Sequence, residues 1–338
     1  MKKIKVAING FGRIGRAFLR AAAKRQEIEV VAVNDLMPHG NAEYLLKYDS
    51  VYGRSACTLA GFRYVSEKEP SKLPWKELGV DVVVESTGFF ASAEKSQAHL
   101  DAGAKRVVVT APMQNTTTPP FGHPSSTEEG ITVLIGVNEE KLKDCKISSN
   151  ASCTTNAASP IIAILDEALG VEKAMLNTVH AYTATQALVD SPAFKKGMRD
   201  GRAAAINIIP SSTGAAIAVT KAYSKLEGKF DGVSLRVPVA CGSIADITFV
   251  AKRDTDADEV NAILRRAAKD KRWEGIFSAS DEELVSSDIV GAPEGAIAEL
   301  SMTRVVGGNL VKVLAWYDNE SGYAATLVRH VIEAGKYL

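Results

Sequence analysis

The sequence of 338 residues has few cysteines and aromatic residues, and no excess of charge of either sign. Its four cysteines are scattered, without the paired C-x-x-C spacing of a zinc site or the density of a disulfide scaffold. We therefore expect no metal site and a reduced, cytoplasmic setting. Lys plus Arg and Asp plus Glu number 40 each, so no net field favours a nucleic-acid or anionic-membrane partner.

Long hydrophobic runs are also missing. The apolar stretch Ile4–Ile8 is too short for a signal-peptide core, and no run approaches the length of a membrane span. Hydrophobic residues still make up 46% of the chain, enough for substantial cores. A chain of 338 residues exceeds what one core usually organises, so we expect two domains.

The first part of the chain alternates short β-branched runs with helical stretches, a pattern typical of βαβ units around a mostly parallel sheet. The pattern predicts a strand over Ile4–Asn9, a helix from Arg13 to about Lys24 and a strand over Glu29–Asn34. Further buried strands are predicted at Val80–Glu85 and Arg106–Thr110. Together these elements indicate an α/β domain of the kind that binds cofactors.

The pattern changes from Cys153 onward. A helix is predicted from Thr155 to about Leu169, and a last helix over Ser321–Ala334 is expected to pack back on the first domain. The stretch Pro112–Gly130, rich in Thr, Pro and Ser, predicts an irregular loop. Longer alternating runs indicate a mixed or antiparallel sheet in the second domain; they are Ala174–Tyr182, Gly232–Val237 and Ala245–Ala251.

A glycine-rich loop stands between the first predicted strand and the first helix. Gly10 permits a tight turn, Gly12 lets the backbone approach a pyrophosphate, and Gly15 lets helix and strand pack closely. Asp35 ends the second strand, where a carboxylate can accept hydrogen bonds from an adenosine ribose. A 2′-phosphate would bring negative charge against Asp35, which favours NAD over NADP. Each feature alone could be a plain turn or strand end, but together they predict a cofactor site.

Cys153 stands among cap-forming residues at the start of a predicted helix. A helix N-terminus can lower a thiol pKa from about 8.5 toward neutrality, and a histidine lowers it further. His180, in the following predicted strand, is the nearest sensible partner, although only the fold can show that the two meet. Taken alone, a buried structural cysteine and a satisfied core histidine are the commoner explanations.

Motifs spread over nearly the whole chain carry a family resemblance. In chain order they read INGFGRIG, SNASCTTN, TVHAYTATQ, NIIPSSTGAA, SLRVP and WYDNESGY. In this order and spacing they resemble the glyceraldehyde-3-phosphate dehydrogenase family. The resemblance implies a Rossmann-type, doubly wound NAD domain over residues 1–152, to which the C-terminal helix 319–338 returns. It further implies an α+β catalytic domain with a mixed or antiparallel sheet over residues 153–318, and a homotetramer.

The resemblance also implies a reaction and the residues that perform it. Cys153 is the nucleophile that attacks the aldehyde of glyceraldehyde 3-phosphate, and His180 is the base that activates it. Hydride transfer to NAD leaves a thioester, which inorganic phosphate converts to 1,3-bisphosphoglycerate, a step of glycolysis and gluconeogenesis. Cofactor contacts are implied for Gly10, Phe11, Gly12, Arg13, Ile14, Gly15, Asp35, Lys68, Thr110, Asn319 and Tyr323. Substrate and phosphate contacts are implied for Ser152, Thr154, Thr183, Arg199, Thr213, Gly214 and Arg236.

Two alternatives remain open. Erythrose-4-phosphate dehydrogenase would act on a substrate that differs by one carbon and would pass the thioester to water; Arg199 and the TVHAYTATQ segment favour the phosphorylating enzyme. The second alternative is a non-catalytic or RNA-binding relative. The neutral net charge argues against RNA binding, and so does the lack of aromatic residues interleaved with basic ones. Ala157 and Ser321 stand where many relatives carry cysteine and tryptophan, which leaves subunit contacts less certain than the chemistry.

Overall fold

The computed structural model describes residues 3–113, 130–193 and 197–338. The chain divides into two compact units, the first formed by Met1–Ser152 with Ala324–Leu338 and the second by Cys153–Tyr323. The inner part of the loop predicted at Pro112–Gly130 lies outside the described residues. No helix in the described ranges is both long enough and apolar enough to cross a membrane.

The first unit contains a parallel sheet with strand order β5-β2-β1-β6-β7-β9-β8. Its strands are β1 (Ile4–Asn9), β2 (Ile28–Asn34), β5 (Arg63–Val65), β6 (Val82–Glu85), β7 (Arg106–Val109), β8 (Ile131–Thr132) and β9 (Ile147–Ser149), and the short strands β3 (Tyr48–Asp49) and β4 (Gly53–Arg54) pair separately. Its helices are α1 (Arg13–Ala22), α2 (His39–Lys47), α3 (Trp75–Leu78) and α4 (Ala93–Asp101).

The register of this sheet brings three strand ends to one edge. Asn9 at the end of β1 pairs with Asn34 on β2 and with Glu85 on β6. The central strands are buried runs of valine, isoleucine and alanine, as expected when helices cover both faces of a parallel sheet. Because the carboxyl ends of parallel strands share one edge, the loops that follow them lie side by side, and this is where ligands bind in such sheets.

The second unit contains a mixed sheet with strand order β11-β12-β10-β13-β16-β15-β14. Its strands are β10 (Val171–Ala181), β11 (Ile209–Ser212), β12 (Phe230–Val237), β13 (Ser243–Ala251), β14 (Phe277–Ser280), β15 (Ala296–Val306) and β16 (Leu310–Tyr317). Its helices are α5 (Cys153–Leu169), α6 (Ala215–Ala222) and α7 (Ala257–Ala267), and α8 (Ser321–Gly335) enters the first unit from Ala324 onward. Short 3₁₀ helices occupy Pro70–Lys72, Glu139–Asp144, Met198–Gly201, Ser224–Leu226 and Lys271–Trp273.

The helix α5 is the central packing element of the second unit. Nearly all of it is buried, because it packs on α6 and α7 and on the strands of the sheet. Alternation along the strands explains the face it covers: on β13, Ala245, Ile247 and Phe249 are buried while the residues between them are half-buried. This sheet pattern and the parallel sheet of the first unit confirm the predicted α/β class with a mixed second sheet.

Candidate active site

The structure brings Cys153 and His180 together within the second unit. Cys153 is the first residue of α5, and His180 lies near the end of β10. The Cys153 Sγ and His180 Nε2 atoms are 3.4 Å apart, a separation that suits a nucleophile and its base before substrate binds. Ala151, just upstream, adopts a left-handed φ of 52°, an uncommon conformation for alanine that turns the chain into the helix.

The electrostatics of the sulfur differ from the expectation. Burial raises the pKa of the Cys153 thiol above its usual value, and the Arg236 guanidinium and the Thr154 N–H oppose this shift without cancelling it. The backbone N–H groups at the start of α5 lower the pKa as predicted, but the net shift is upward, so the predicted net lowering of the pKa is wrong for the protein by itself. The helix amides act on a sulfur that has lost most of its water, and desolvation favours the neutral thiol.

The histidine is neutral as well. Burial, followed by the positive charge of Arg236, lowers the pKa of His180 to about 3. Its Nδ1 lies 2.6 Å from the carbonyl oxygen of Ala181, which can only accept, and 2.5 Å from Nη1 of Arg236, which can only donate, so these two contacts favour opposite tautomers. In the tautomer that donates from Nδ1 to the Ala181 oxygen, Nε2 presents a lone pair to the Cys153 thiol, as a general base requires.

Arg236 places a cation beside this pair. It lies on β12, directly opposite His180 in the register of the neighbouring strand β10. Its Nη1 is 2.5 Å from His180 Nδ1 and 3.2 Å from the Ala181 oxygen, to which it donates. The guanidinium favours the thiolate of Cys153 and disfavours the imidazolium of His180. A planar cation in this position is also suited to an anionic substrate group.

A tyrosine that the sequence analysis did not single out supports the site. The buried Tyr317 hydroxyl lies 2.8 Å from the Thr154 hydroxyl and 2.7 Å from the Thr178 hydroxyl. Its ring meets the His180 ring edge to face at 5.9 Å between centroids. Tyr317 therefore links the start of α5 to β10. Tyr317 belongs to the WYDNESGY motif, but nothing in the sequence alone showed that its ring contacts the ring of His180.

The other predicted anion-binding residues lie on loops and helix starts of the second unit and at its boundary. Thr183 follows the end of β10, where its N–H donates to Gln186 Oε1 at 2.8 Å. Arg199 is exposed in the 3₁₀ turn Met198–Gly201. Thr213 and Gly214 form the start of α6, where the Thr213 hydroxyl accepts from the Ala215 N–H at 3.1 Å. Ser152 directly precedes Cys153 and is half-buried.

The glycine loop of the first unit fits a dinucleotide. A Cβ at Gly10 would lie 2.7 Å from the Ser86 carbonyl carbon, and one at Gly15 would overlap the Gly10 oxygen, so both positions require glycine. At Gly12, no atom of the described residues other than Gly12 and its two chain neighbours lies within 4 Å of the Cβ position, which leaves the backbone open to a ligand. Within those residues, no side chain caps α1 and its first turn holds no acidic residue, so its N–H groups suit a pyrophosphate.

Two carboxylates hold this loop. Asp35 Oδ2 accepts from the Phe11 N–H at 2.5 Å, and its Oδ1 accepts from the Met37 N–H at 2.8 Å. Arg13, the first residue of α1, donates to Asp49 Oδ2 at 2.8 Å. Ile14 follows it, half-buried. Asp49 was not among the predicted site residues, and its only signal in the sequence is its place in a stretch of charged and aromatic residues.

The remaining predicted cofactor residues are spread over both units. Lys68 is exposed in the loop after β5, and Thr110 follows β7, where its N–H donates to the Glu85 oxygen at 2.9 Å. Asn319 and Tyr323 belong to the second unit. Both are buried, and the Asn319 Oδ1 accepts from the Ser243 hydroxyl at 3.1 Å.

Comparison with known proteins gives concordant matches. Residues 4–93 match the NAD binding domain of glyceraldehyde 3-phosphate dehydrogenase, and residues 152–319 match its C-terminal domain. Curated proteins named glyceraldehyde-3-phosphate dehydrogenase are similar over their full length. The one from Mycobacterium tuberculosis is 43% identical, that from Mycobacterium avium 44% and that from Streptomyces coelicolor 42%, with 99% of both chains covered in each alignment.

Proposed function

Since the chain belongs to the glyceraldehyde-3-phosphate dehydrogenase family, we propose that it oxidises glyceraldehyde 3-phosphate with NAD and inorganic phosphate to 1,3-bisphosphoglycerate. It is an NAD-dependent oxidoreductase, and the alternatives considered above are not favoured. The observation that carries the covalent mechanism is the 3.4 Å approach of the Cys153 sulfur to His180 Nε2 beside Arg236. A thiol, a neutral base and a cation are the groups that covalent oxidation of a phosphorylated aldehyde needs.

The residues of the second unit act in sequence. His180 Nε2 takes the Cys153 proton as the sulfur attacks the aldehyde carbon, and the oxygen that gains charge is stabilised by the Cys153 N–H and the imidazolium. The imidazolium returns this proton to the oxyanion, which gives the hydroxyl group of the hemithioacetal. His180 then takes the hydroxyl proton back while the carbon–oxygen double bond re-forms. Bound NAD supplies the acceptor for the hydride that leaves the same carbon. Phosphate attack on the thioester then releases Cys153 as a thiolate, which the proton held by His180 neutralises.

Two oxyanion sites serve this sequence. Arg236 and Thr183 would bind the substrate phosphate. Arg236 already lies beside the reacting pair, so a bound phosphate there holds the aldehyde in reach of the sulfur. Thr154 would contact the substrate through its main chain, since its hydroxyl bonds to Tyr317. Hydroxyls, amides and a guanidinium suit the attacking phosphate, and the proposed residues are Ser152, Arg199, Thr213 and Gly214.

The cofactor residues retain the roles implied by the family. The glycine loop with Phe11, Arg13 and Ile14 would bind the pyrophosphate, and Asp35 the adenosine ribose. The open backbone at Gly12 supports this assignment. Lys68 and Thr110 would lie near the adenine and its ribose. In the second unit, Asn319 would hydrogen-bond the nicotinamide carboxamide, with Tyr323 supporting it.

A homotetramer in the cytoplasm completes the proposal. Apolar residues of the loop after β10 are strongly exposed, with Leu188 at 82% and Met198 at 92%, which is the surface expected of a subunit contact. A cavity of about 930 Å³ on the second unit is lined in part by Met175, Ile217 and Leu310, which are also exposed. The described residues contain no disulfide, which supports a reducing compartment.

The test is NADH formation by the purified protein with each sugar phosphate, in the presence and absence of inorganic phosphate. We expect glyceraldehyde 3-phosphate to be the better substrate and the reaction to depend on phosphate. Cys153→Ser serves as the control, with activity lowered by at least about 10³-fold because the nucleophile is removed. Activity that is indifferent to phosphate, or faster with erythrose 4-phosphate, would reject the proposal.

A further inference from the structure

A buried polar network lies beneath the glycine loop and takes no part in the chemistry proposed above. Asn9, Glu85 and His99 are each at most 1% exposed, Asn34 is 4% exposed, and Trp75 is completely buried. Burial of a carboxylate and an imidazole is costly unless hydrogen bonds replace the lost water. This network carries the desolvation cost of burying polar groups, and it lies at the carboxyl ends of the strands, where ligands bind in such sheets. A functional explanation is therefore needed.

Among the described residues, the hydrogen-bond partners of the Glu85 carboxylate all donate to it. Oε2 accepts from Asn9 Nδ2 at 2.5 Å and from His99 Nε2 at 3.1 Å. Oε1 accepts from the Thr87 N–H at 2.8 Å and from the Thr87 hydroxyl. A carboxylate offers acceptor sites on both oxygens and no donor, so it satisfies all of these groups.

The hydrogen of His99 is fixed by its other neighbour. The Trp75 indole nitrogen lies 3.1 Å from His99 Nδ1. An indole N–H can only donate, so Nδ1 must accept, and the ring hydrogen lies on Nε2 and points at Glu85. Asn9 Nδ2 is 3.4 Å from the same Nε2 because both groups converge on one oxygen.

The network extends in the other direction to the loop after β5. Asn34 Nδ2 donates to Asn9 Oδ1 at 2.7 Å and to the Glu67 oxygen at 2.9 Å. The Glu67 N–H returns a hydrogen bond to Asn34 Oδ1 at 2.9 Å. One connected set of hydrogen bonds therefore runs from Trp75 to the residue that precedes Lys68.

The same network positions the segment from Glu85 to Thr87, against which the glycine loop packs. Glu85 holds Thr87, and Ser86 between them donates its hydroxyl to the Gly10 oxygen at 2.6 Å. The Gly10 N–H donates to the Asn34 oxygen at 2.8 Å. Since a Cβ at Gly10 would already contact the Ser86 and Thr87 backbone, a small displacement of this segment moves the loop itself.

We propose that Glu85 is a positioning residue for the cofactor: with His99, Asn9 and Thr87 it holds the glycine loop and the segment before Lys68 in their binding conformation before NAD arrives. The proposal rests on the NAD-dependent function proposed above and adds a residue that touches neither cofactor nor substrate. The proposal also explains why a carboxylate is buried at this position. Only a side chain whose two oxygens both accept hydrogen bonds keeps Asn9, His99 and Thr87 aligned.

Glu85→Gln is the direct test, since it keeps the shape and replaces one oxygen by a donor that must face another donor. We expect the dissociation constant for NAD, measured by calorimetric titration of the full-length protein, to rise about tenfold or more. The rate at which iodoacetamide alkylates Cys153 without cofactor should stay at the parent value, because the second unit is untouched. An unchanged dissociation constant for NAD would overturn the proposal.

His330→Gln is the matched control. His330 is a completely buried histidine of the same unit, but it bonds to Ser148 and Asn150 instead of the network. Its loss should lower the melting temperature and leave the dissociation constant for NAD within about twofold of the parent. An equal rise in both variants would show that Glu85 acts only through general stability and would overturn the proposal.

Thr87→Val keeps the proposal testable where Glu85→Gln does not fold, because Thr87 is only half-buried and its N–H remains. We expect an intermediate rise in the dissociation constant, of about threefold or more, and no rise would overturn the proposal. NAD binding is measured without substrate. If the parent protein fails to oxidise glyceraldehyde 3-phosphate, the proposed function is rejected. The comparison of dissociation constants for NAD would still test the positioning role of Glu85.

Discussion

At the scale of single residues, the charge of Arg236 acts in opposite directions on the two reacting groups. It favours the Cys153 thiolate, yet it keeps the His180 imidazole neutral. Because the pKa of Cys153 is raised by burial and that of His180 is lowered to about 3, the ligand-free protein holds a thiol and a neutral base near pH 7. In the proposed mechanism the sulfur therefore loses its proton to His180 as it attacks the aldehyde carbon.

Replacement of Arg236 by methionine should slow the alkylation of Cys153 at any fixed pH near neutrality. Loss of the cation removes a stabilising partner of the thiolate, so the pKa of Cys153 rises further. The pH profile of iodoacetamide labelling should shift to higher pH than in the parent. Arg236→Lys retains a positive charge and should show a smaller shift; equal profiles in all three proteins would contradict this account.

Asp49 is a second residue whose surroundings shift the pKa of its side chain and thereby affect stability. Burial works to raise the pKa of its carboxyl, but the Val51 and Tyr52 N–H groups, Arg13 and Arg20 outweigh burial and hold the pKa below its usual range. Its contribution to stability is therefore present above the pKa of the unfolded chain and is lost as the pH falls through the folded value.

Asp49→Asn should lower the free energy of unfolding by about 2 kcal/mol, because it removes charge-assisted bonds to two arginines and weakens those to the loop amides. It should also weaken NAD binding, since Arg13 begins the helix that faces the pyrophosphate. Urea unfolding and NAD titration measure the two effects. Glu27→Gln breaks the surface pair with Arg25 and is the control, expected to change neither quantity appreciably. Equal effects of the two substitutions would contradict the role of Asp49.

At the scale of secondary-structure elements, local signals predicted some elements closely and missed others. The first strand has the predicted bounds, Ile4–Asn9, and the helix predicted from Thr155 begins at Cys153. The helix α4 was missed because its sequence AEKSQAHLD has little apolar periodicity, although Ser92 caps it by accepting from the Lys95 N–H. Tertiary packing, more than a local pattern, stabilises such a short polar helix.

The helix α8 makes the first unit sensitive to acid. Its His330 is buried against Ser148 and Asn150, and burial lowers its pKa to about 3, well below the roughly 6.5 of an unfolded chain. The unfolded chain binds a proton that the folded one does not between these values, so stability is complete above about pH 6.5 and falls as the pH drops.

We expect His330 to account for up to about 2 kcal/mol of the unfolding free energy lost between pH 6.5 and pH 5. Urea unfolding across this range measures the slope. His330→Gln has no proton to gain there, so its unfolding free energy should depend less steeply on pH than that of the parent, even though its value near pH 7 is lower. Parallel curves would show that other groups carry the acid sensitivity.

At the scale of the whole molecule, the exposed apolar residues of the second unit predict self-association. Met175 lies on β10 and is 56% exposed at the edge of the large cavity. Met175→Asp should shift the molar mass measured by light scattering toward smaller species, because a carboxylate would be buried in the contact. Met175→Leu keeps the apolar surface and should assemble as the parent does. A parent that is monomeric at micromolar concentration would reject the homotetramer.

What the sequence by itself determined is local along the chain. The turn at Gly10, the helix start at Cys153 and the alternation of the strands follow from backbone sterics and side-chain periodicity, which act between near neighbours. The order of the motifs was enough to identify the family. These features predicted the class of both sheets and the nucleophile that the proposed mechanism uses.

What only the tertiary structure decided depends on contacts between distant residues and on burial. Sheet register places Arg236 opposite His180 and Glu85 opposite Asn9, which no local pattern could specify. Burial reverses the direction expected for the pKa of Cys153, because desolvation outweighs the helix amides. Long-range packing determines which groups lose their water, so the protonation of the site follows from the fold rather than from the motif.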